Sequence, residues 1–283
     1  MLDSFTILVS SCDKYEDLWV PFFSLLKNKW RELPNYEIVL NTESKKFTMD
    51  GLNIKCFQLY KKNEKVAWGE RLIETLKRIN SDYILFLLDD FFIRSEVDDA
   101  KIKECLHLFE KDPHASVIYL TPTSGYREDT KIEDFYILKK DATWKLNTQA
   151  ALWRRKKLIE YIRPHETAWA WEQYGSIRAQ RYKENFYIRS PFLALIFDYE
   201  KDWGGAIHRG KWTPYAIELC NKYDFGIDYS IRGVETDIPP FLGEEENRID
   251  DDKIERWLRK MKKRMVYLFD FIKEKLIMYK SLK

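Results

Sequence analysis

Two adjacent carboxylates, Asp89 and Asp90, end an unbroken apolar run, Tyr83–Leu88 (YILFLL). Ionised acids at the end of such a run are costly unless they are solvated, paired or bound to a cation. Two of them delivered to one point can hold a hard divalent ion together with a phosphate. The local alternative is that they start a turn, as Asp often does. A third acid, Glu172, lies in ETAWAWEQYGS beside Trp169, Trp171 and Tyr174. Aromatic neighbours strip water from a carboxyl group and raise its pKa. The same stretch also reads as a capped amphipathic helix whose Trp residues are core. The segment GGAIHRGKW (204–212) brings His208, Arg209 and Lys211 next to Gly204 and Gly205. The two glycines permit close backbone approach, and the basic side chains suit a diphosphate.

Positioning these groups falls to a chain that alternates strands and helices. FTILVS (5–10) reads as a first strand ending in a polar turn, and a helix follows over about 17–30, with Pro21 near its first turn. YEIVL (36–40) is a second strand ending in Asn41-Thr42-Glu43, and 54–59 a third. Residues 67–79 carry Leu72, Leu76 and Ile79 at helical spacing and lead into the run that ends in the acids. This β-α-β-β-α-β order predicts an α/β fold: a Rossmann-like, mixed but mostly parallel sheet flanked by helices. The apolar run suits a strand covered on both faces, and the carboxyl end of such a strand is where ligands sit. A helix over 98–111 and a strand over 116–120 continue the pattern.

Beyond Thr121 the alternation breaks. Residues 135–138 and 143–146 read as a hairpin, 152–162 as a basic helix stopped by Pro164, and 167–181 as the helix carrying the aromatic cluster. FLALIF (192–197) reads as a late apolar strand. The expected organisation is a first half, 1–120, and a second half, 121–242. An acidic linker (243–252) and a basic amphipathic helix (253–283) follow.

Several chemistries are excluded. There is no G-x-x-x-x-G-K-[ST] and no G-x-G-x-x-G after a strand. Ser176 in Tyr-Gly-Ser is no nucleophile elbow, and four scattered His give no zinc site. A net charge of +2 gives no reason to expect nucleic acid. Cys12, Cys56, Cys105 and Cys220 lack metal or disulfide spacing and read as reduced thiols of an intracellular protein. The N-terminus has no signal-peptide pattern, and no run reaches membrane-spanning length. The tail holds eleven Lys or Arg against three acids, with Trp257, Met261, Met265, Leu268, Ile272, Leu276 and Tyr279 on one face. Such a helix can lie on an anionic membrane surface, dock on its own domain, or make a dimer contact.

The segment WGERLIETLKRINSDYILFLLDDFF sets an Arg-bearing helix ahead of a strand that ends in two acids. In this order it resembles the nucleotide-sugar-binding half of GT-A-fold glycosyltransferases. The likeness is particularly to the family 2-like enzymes of bacterial surface-polysaccharide biosynthesis, over roughly the first 120 residues. Arg71 falls near the family's Arg, and Leu88-Asp89-Asp90 takes the place of its D-x-D motif, with Leu88 where the first acid stands. The resemblance implies Asp90 as direct ligand of Mn²⁺ or Mg²⁺, with Asp89 as helper or ribose contact. Ser11, Asp13 and Asn41 would line the nucleotide pocket. It further implies a carboxylate that takes the proton from the acceptor hydroxyl, for which Glu172 is the candidate and Glu166 its competitor. Trp169 and Trp171 would hold the acceptor. His208 would be a third metal ligand, and HRGKW is a loose form of the Q-x-x-R-W motif of processive synthases, with Arg209 and Lys211 at the diphosphate.

The expected activity is inverting, metal-assisted transfer of a sugar from a nucleoside-diphosphate sugar to a glycan or lipid-linked acceptor. The expected location is cytoplasmic, or peripheral on the cytosolic face of the inner membrane. Two other readings stay open. One is a sugar nucleotidyltransferase, against which the Gly-free turn Ser10–Lys14 counts. The other is a non-catalytic glycan- or membrane-binding protein with a degenerate site, for which Leu88 speaks.

Overall fold

The structure, a computed structural model, describes residues 5–60, 64–121, 127–142, 144–199 and 205–236. The acidic segment and the basic tail lie outside the described residues. The first half follows the expected alternation. β1 (Thr6–Ser10) leads through a 3-10 turn, Asp13–Tyr15, into α1 (Glu16–Lys29). β2 (Glu37–Asn41), β3 (Asn53–Cys56), α2 (Trp68–Arg78), β4 (Tyr83–Leu88), α3 (Asp99–Lys111) and β5 (Ala115–Tyr119) come next. One face of β1 and β4 packs with Phe22, Phe23, Ile102 and Leu106 of α1 and α3, and the other with Leu72 and Leu76 of α2. Cover on both faces is why these strands are apolar without alternation.

The second half departs from expectation. β6 (Arg127–Asp129) and β7 (Phe135–Leu138) form the hairpin, so the partner of β7 precedes it; 144–146 is not a strand. The segment expected to be one basic helix divides into β8 (Ala151–Arg154) and α4 (Arg155–Tyr161). β8 runs antiparallel to both β4 and β5 and fills the gap between them. Its apolar core, Ala151-Leu152-Trp153, is too short to declare a strand by periodicity, and only the two waiting edges make it one. α5 (Ala168–Ala170), a π-helical turn (Trp171–Gly175) and α6 (Ser176–Ala179) follow as one irregular helix. The late strand is β9 (Asn185–Arg189), parallel to β5, whereas 192–197 is irregular and is held by Arg189 Nη1 donating to the Ala194 carbonyl. β10 (Ile207–His208) and β11 (Lys211–Trp212) make a separate two-residue hairpin, and α7 (Pro214–Lys222) completes the described elements. At its tip Arg209 and Gly210 both have positive φ, 49° and 85°, the turn that matches strand twist.

The nine-stranded sheet has the order β3-β2-β1-β4-β8-β5-β9-β7-β6. It is mixed and mostly parallel, with β7 and β8 reversed. Both expected halves therefore contribute to one sheet.

Candidate active site

Register gathers the acids with two polar loops. Ser10 at the end of β1 lies between Asn41 of β2 and Leu88 of β4, so the next residues of all three strands share one sheet end. Asp89 is buried and accepts from the Ser11 hydroxyl, whose oxygen in turn accepts from Trp19 Nε1 at 2.7 Å. Asp90 is partly exposed as a residue, yet its Oδ1 is out of solvent and without a hydrogen-bond partner among the described residues. Its carbonyl accepts from Ala206 N at 2.8 Å. Just before that contact, Gly205 passes so near the carboxylate that a Cβ there would lie 2.6 Å from Oδ2. Burial, then the charge of Asp90, pushes the Asp89 carboxyl well above its usual range; burial pushes Asp90 up to about 7. Such a pair favours a proton or a cation over two bare charges.

The loops after β1 and β2 hold each other. Asp13 accepts from the backbone N–H of Glu43 (3.0 Å), Ser44 (3.0 Å) and Lys45 (3.2 Å) and from the Ser44 hydroxyl (2.6 Å). Burial alone would raise its pKa, but these donors outweigh burial and lower it. Glu43 accepts from Asp13 N and pairs with the buried Arg71 of α2. Asn41 is buried, taking a bond from Thr75 Oγ1 at 3.1 Å, with Nδ2 unpartnered. Trp68 Nε1 donates to Ser10 Oγ at 3.0 Å. Ser11, Asp13, Asn41, Arg71, Asp89 and Asp90 thus meet at one end of the sheet. Within that set Asp13 builds the loop, with its oxygens committed to the protein.

Glu172 reaches the same end from the second half. Its Oε1 accepts from both Thr148 N and Thr148 Oγ1, each at 2.7 Å. β8 pairs antiparallel with β4 from Ala151 onward, so Thr148, three residues before it, leads in from the end of the sheet at which β4 finishes. Burial raises the Glu172 pKa, and the two bonds from Thr148 oppose it. Glu172 lies inside the π-helical turn, a helix irregularity frequent at functional sites. Gly175 closes that turn where a Cβ would lie 2.8 Å from Leu146 Cδ1. No sequence periodicity announces it.

Other expected residues take different places. Trp171 is fully buried against Trp68 and Trp153, centroids 5.6 and 6.1 Å away, so it is core and has no face for an acceptor. Trp169 is 72% exposed. Glu166 is buried and bonded to Arg178 (2.8 and 2.9 Å) and Arg163 N (3.0 Å), a structural link. Its carbonyl and that of Pro164 accept from Gly69 N and Glu70 N at 2.9 Å, occupying the first turn of α2. His208 lies with Nδ1 3.0 Å from Glu235 Oε2, while Arg209 and Lys211 are exposed on the β10–β11 hairpin. Among the described residues no three His, Cys, Asp or Glu gather as a metal site, so His208 does not join Asp89 and Asp90.

Two residues escape the sequence reading. Glu43 had a signal, the polar end of the second strand. Arg232 had none. It grips the β1 loop from far along the chain, through Asp17, the Lys14 carbonyl and the ring of Tyr15.

No protein-family model matches the sequence, and no curated protein matches it. Solved structures give distant likenesses. S. aureus TarS 1–349 in complex with UDP has 14% identity over 66% of this chain and 60% of that one, with a TM-score of 0.44. CMP:2-keto-3-deoxy-manno-octonic acid synthetase complexed with CTP has 12% identity over 78% and 98%, TM-score 0.40. UDP-glucose pyrophosphorylase complexed with UDP-glucose has 10% identity over 69% and 91%, TM-score 0.43. The chain spans about 60% of the length of the TarS fragment.

Proposed function

We propose that this chain transfers a sugar from a nucleoside-diphosphate sugar to a hydroxyl of a glycan or lipid-linked acceptor. The observation that carries the reading is the convergence of Asp89, Asp90 and Glu172 on the carboxyl end of β4. An acid pair with a spare buried oxygen stands there, and a further carboxyl, likewise raised by burial, is held by the Thr148 segment that enters β8 from the same end. Carboxyl groups held in unlike environments can take unlike roles.

Glu172 is the proposed general base. Ionised, it takes the proton of the acceptor hydroxyl as that oxygen forms the new bond, and Thr148 orients it. Trp169, exposed three residues after the buried, Arg178-linked Glu166, is the proposed acceptor platform. Ser11, Arg71 and Asp89 stand at the proposed donor pocket, and Arg209 and Lys211, exposed on the β10–β11 hairpin, are the further candidates for diphosphate contacts. The fit to a divalent cation rests on the unpartnered Oδ1 of Asp90; Asp89 is its neighbour, with one oxygen on Ser11. Mg²⁺ and Mn²⁺ need only one or two carboxylates when phosphate oxygens supply other positions. When bound, the ion supplies neutralisation of charge on the leaving diphosphate. No helix of the described residues is long and apolar enough to cross a membrane, and peripheral attachment through the basic tail is part of the proposal.

The test is thermal stabilisation by UDP, GDP, CDP and dTDP, each with and without Mn²⁺, since only binding to the folded state raises the midpoint. A shift that disappears in Asp90→Ala supports the donor site and identifies the base. A folded protein silent to the whole panel would sink the reading. Release of nucleoside diphosphate, as opposed to pyrophosphate from a nucleoside triphosphate and sugar phosphate, separates sugar transfer from nucleotidyl transfer.

A further inference from the structure

We infer that Arg232 is the guanidinium that receives the diphosphate of the donor, through the edge that its protein contacts leave open; this rests on the proposed sugar-nucleotide reading. One edge is fully committed. Nε donates to Asp17 Oδ2 and Nη2 to Asp17 Oδ1 and to the Lys14 carbonyl, each at 2.6 Å. The guanidinium carbon sits 4.6 Å from the centroid of the Tyr15 ring. Nη1 carries two further N–H groups, and no described residue accepts from them. The side chain is only 7% exposed, with Nη1 within reach of solvent, so these N–H groups are open to a ligand.

The place matters as much as the valence. Lys14, Tyr15 and Asp17 belong to the turn and first helical residues directly after β1, the loop whose Ser11 holds Asp89. Arg232 itself is carried by a segment pinned to β11: Trp212 N donates to Gly233 O at 3.0 Å and Glu235 N to Trp212 O at 2.8 Å. That hairpin follows directly on the Gly205–Ala206 contact with Asp90. Tyr15 lies within the electrostatic reach of both Asp90 and Asp89, and Arg232 within that of Asp89. A diphosphate approaching two acids needs opposing charge. Arg71 has given Nη1 to Glu43 and keeps only a buried Nε without a partner, and Arg209 and Lys211 are exposed on the hairpin. An arginine locked by a bidentate carboxylate on one edge presents the other as a preset fork for phosphate oxygens.

The experiment measures affinity of the full chain and of Arg232→Gln for UDP, GDP, CDP and dTDP. The nucleoside of the tightest binder and inorganic pyrophosphate are measured alongside. The expected result is a loss of about 10- to 100-fold for the diphosphate, with nucleoside binding unchanged, the effect of losing charged hydrogen bonds. Equal affinity in the variant, or an equal loss for nucleoside and diphosphate, overturns the inference and leaves the sugar-nucleotide reading standing. If the wild type binds no nucleotide but binds pyrophosphate through Arg232, the anion site stands and the sugar-nucleotide reading falls. If it binds neither, both fall. Should Arg232→Gln not melt cooperatively, Arg232→Lys carries the test. It keeps charge and stem but not the fork, and is expected to lose several-fold for the diphosphate alone; unchanged affinity overturns the inference.

Discussion

Gly205 and Asp90 are in contact at a distance that admits no side chain on the glycine. A Cβ at 205 would stand 2.6 Å from Oδ2 and 2.9 Å from Cγ of Asp90, and the residue has φ of 140°. The backbone after β4 and the backbone before β10 are thereby fixed to one another, with Ala206 N on the Asp90 carbonyl at 2.8 Å.

Gly205→Ala is therefore expected to destabilise the fold by about 1–3 kcal/mol, from strained backbone and the close approach together. Combining it with Asp90→Ala removes the atoms in the way. The double variant should lose less than the two single losses added, as urea melts of all four proteins would show. Additive losses would mean that the contact is not what constrains position 205.

The Asp89–Asp90 pair predicts the sign of a pH dependence. Asp90, pushed up to about 7 by burial, holds its proton in the folded protein over a range in which the unfolded chain has released it. Between about pH 4 and 7 the folded state thus binds more protons, so stability falls as pH rises, by up to about 1.4 kcal/mol per unit for each such group. Above pH 7 the Asp90 contribution is flat. Asp90→Asn should flatten the slope across that window in denaturant melts taken at successive pH values; an unchanged slope would assign the effect elsewhere.

Glu172→Gln should leave melting and nucleotide affinity near wild type and lower sugar transfer by about 100- to 10,000-fold, the usual range for a lost general base. Thr148→Val is the finer probe. It deletes the hydroxyl that stabilises ionised Glu172. The Glu172 pKa should then rise further, moving the acid limb of kcat to higher pH. A limb that stays in place would separate Glu172 from proton removal.

Trp169 and Trp171, two residues apart, should behave oppositely. Trp171→Ala leaves a hole among Trp68, Trp153 and their neighbours and should cost about 3–5 kcal/mol. Trp169→Ala should change stability by less than about 0.5 kcal/mol and raise KM for the acceptor without changing nucleotide affinity. Loss of stability at 169, with acceptor affinity intact, would return that residue to a packing role.

The first half of this fold was legible because its physics is local. Apolar runs buried on both faces and amphipathic helices between them declare β1 to β5 with their helices, and the run Tyr83–Leu88 carries its acids to the carboxyl end without help from the rest of the chain. The second half was not, because its elements exist by pairing. β8 is a strand only between two unfilled edges, β9 only beside β5, and the π-helical turn depends on packing around Gly175. The site divides in the same way. Residue type alone marked Asp89, Asp90 and Glu172 as chemistry. Tertiary structure alone decided that Asp13 is spent on its neighbouring loop, that Trp171 is core beside an exposed Trp169, and that Arg232 closes on Asp17 from 215 residues away. Partners that distant leave no periodic trace in a sequence, since the chain between them is free to take many courses before folding brings them together.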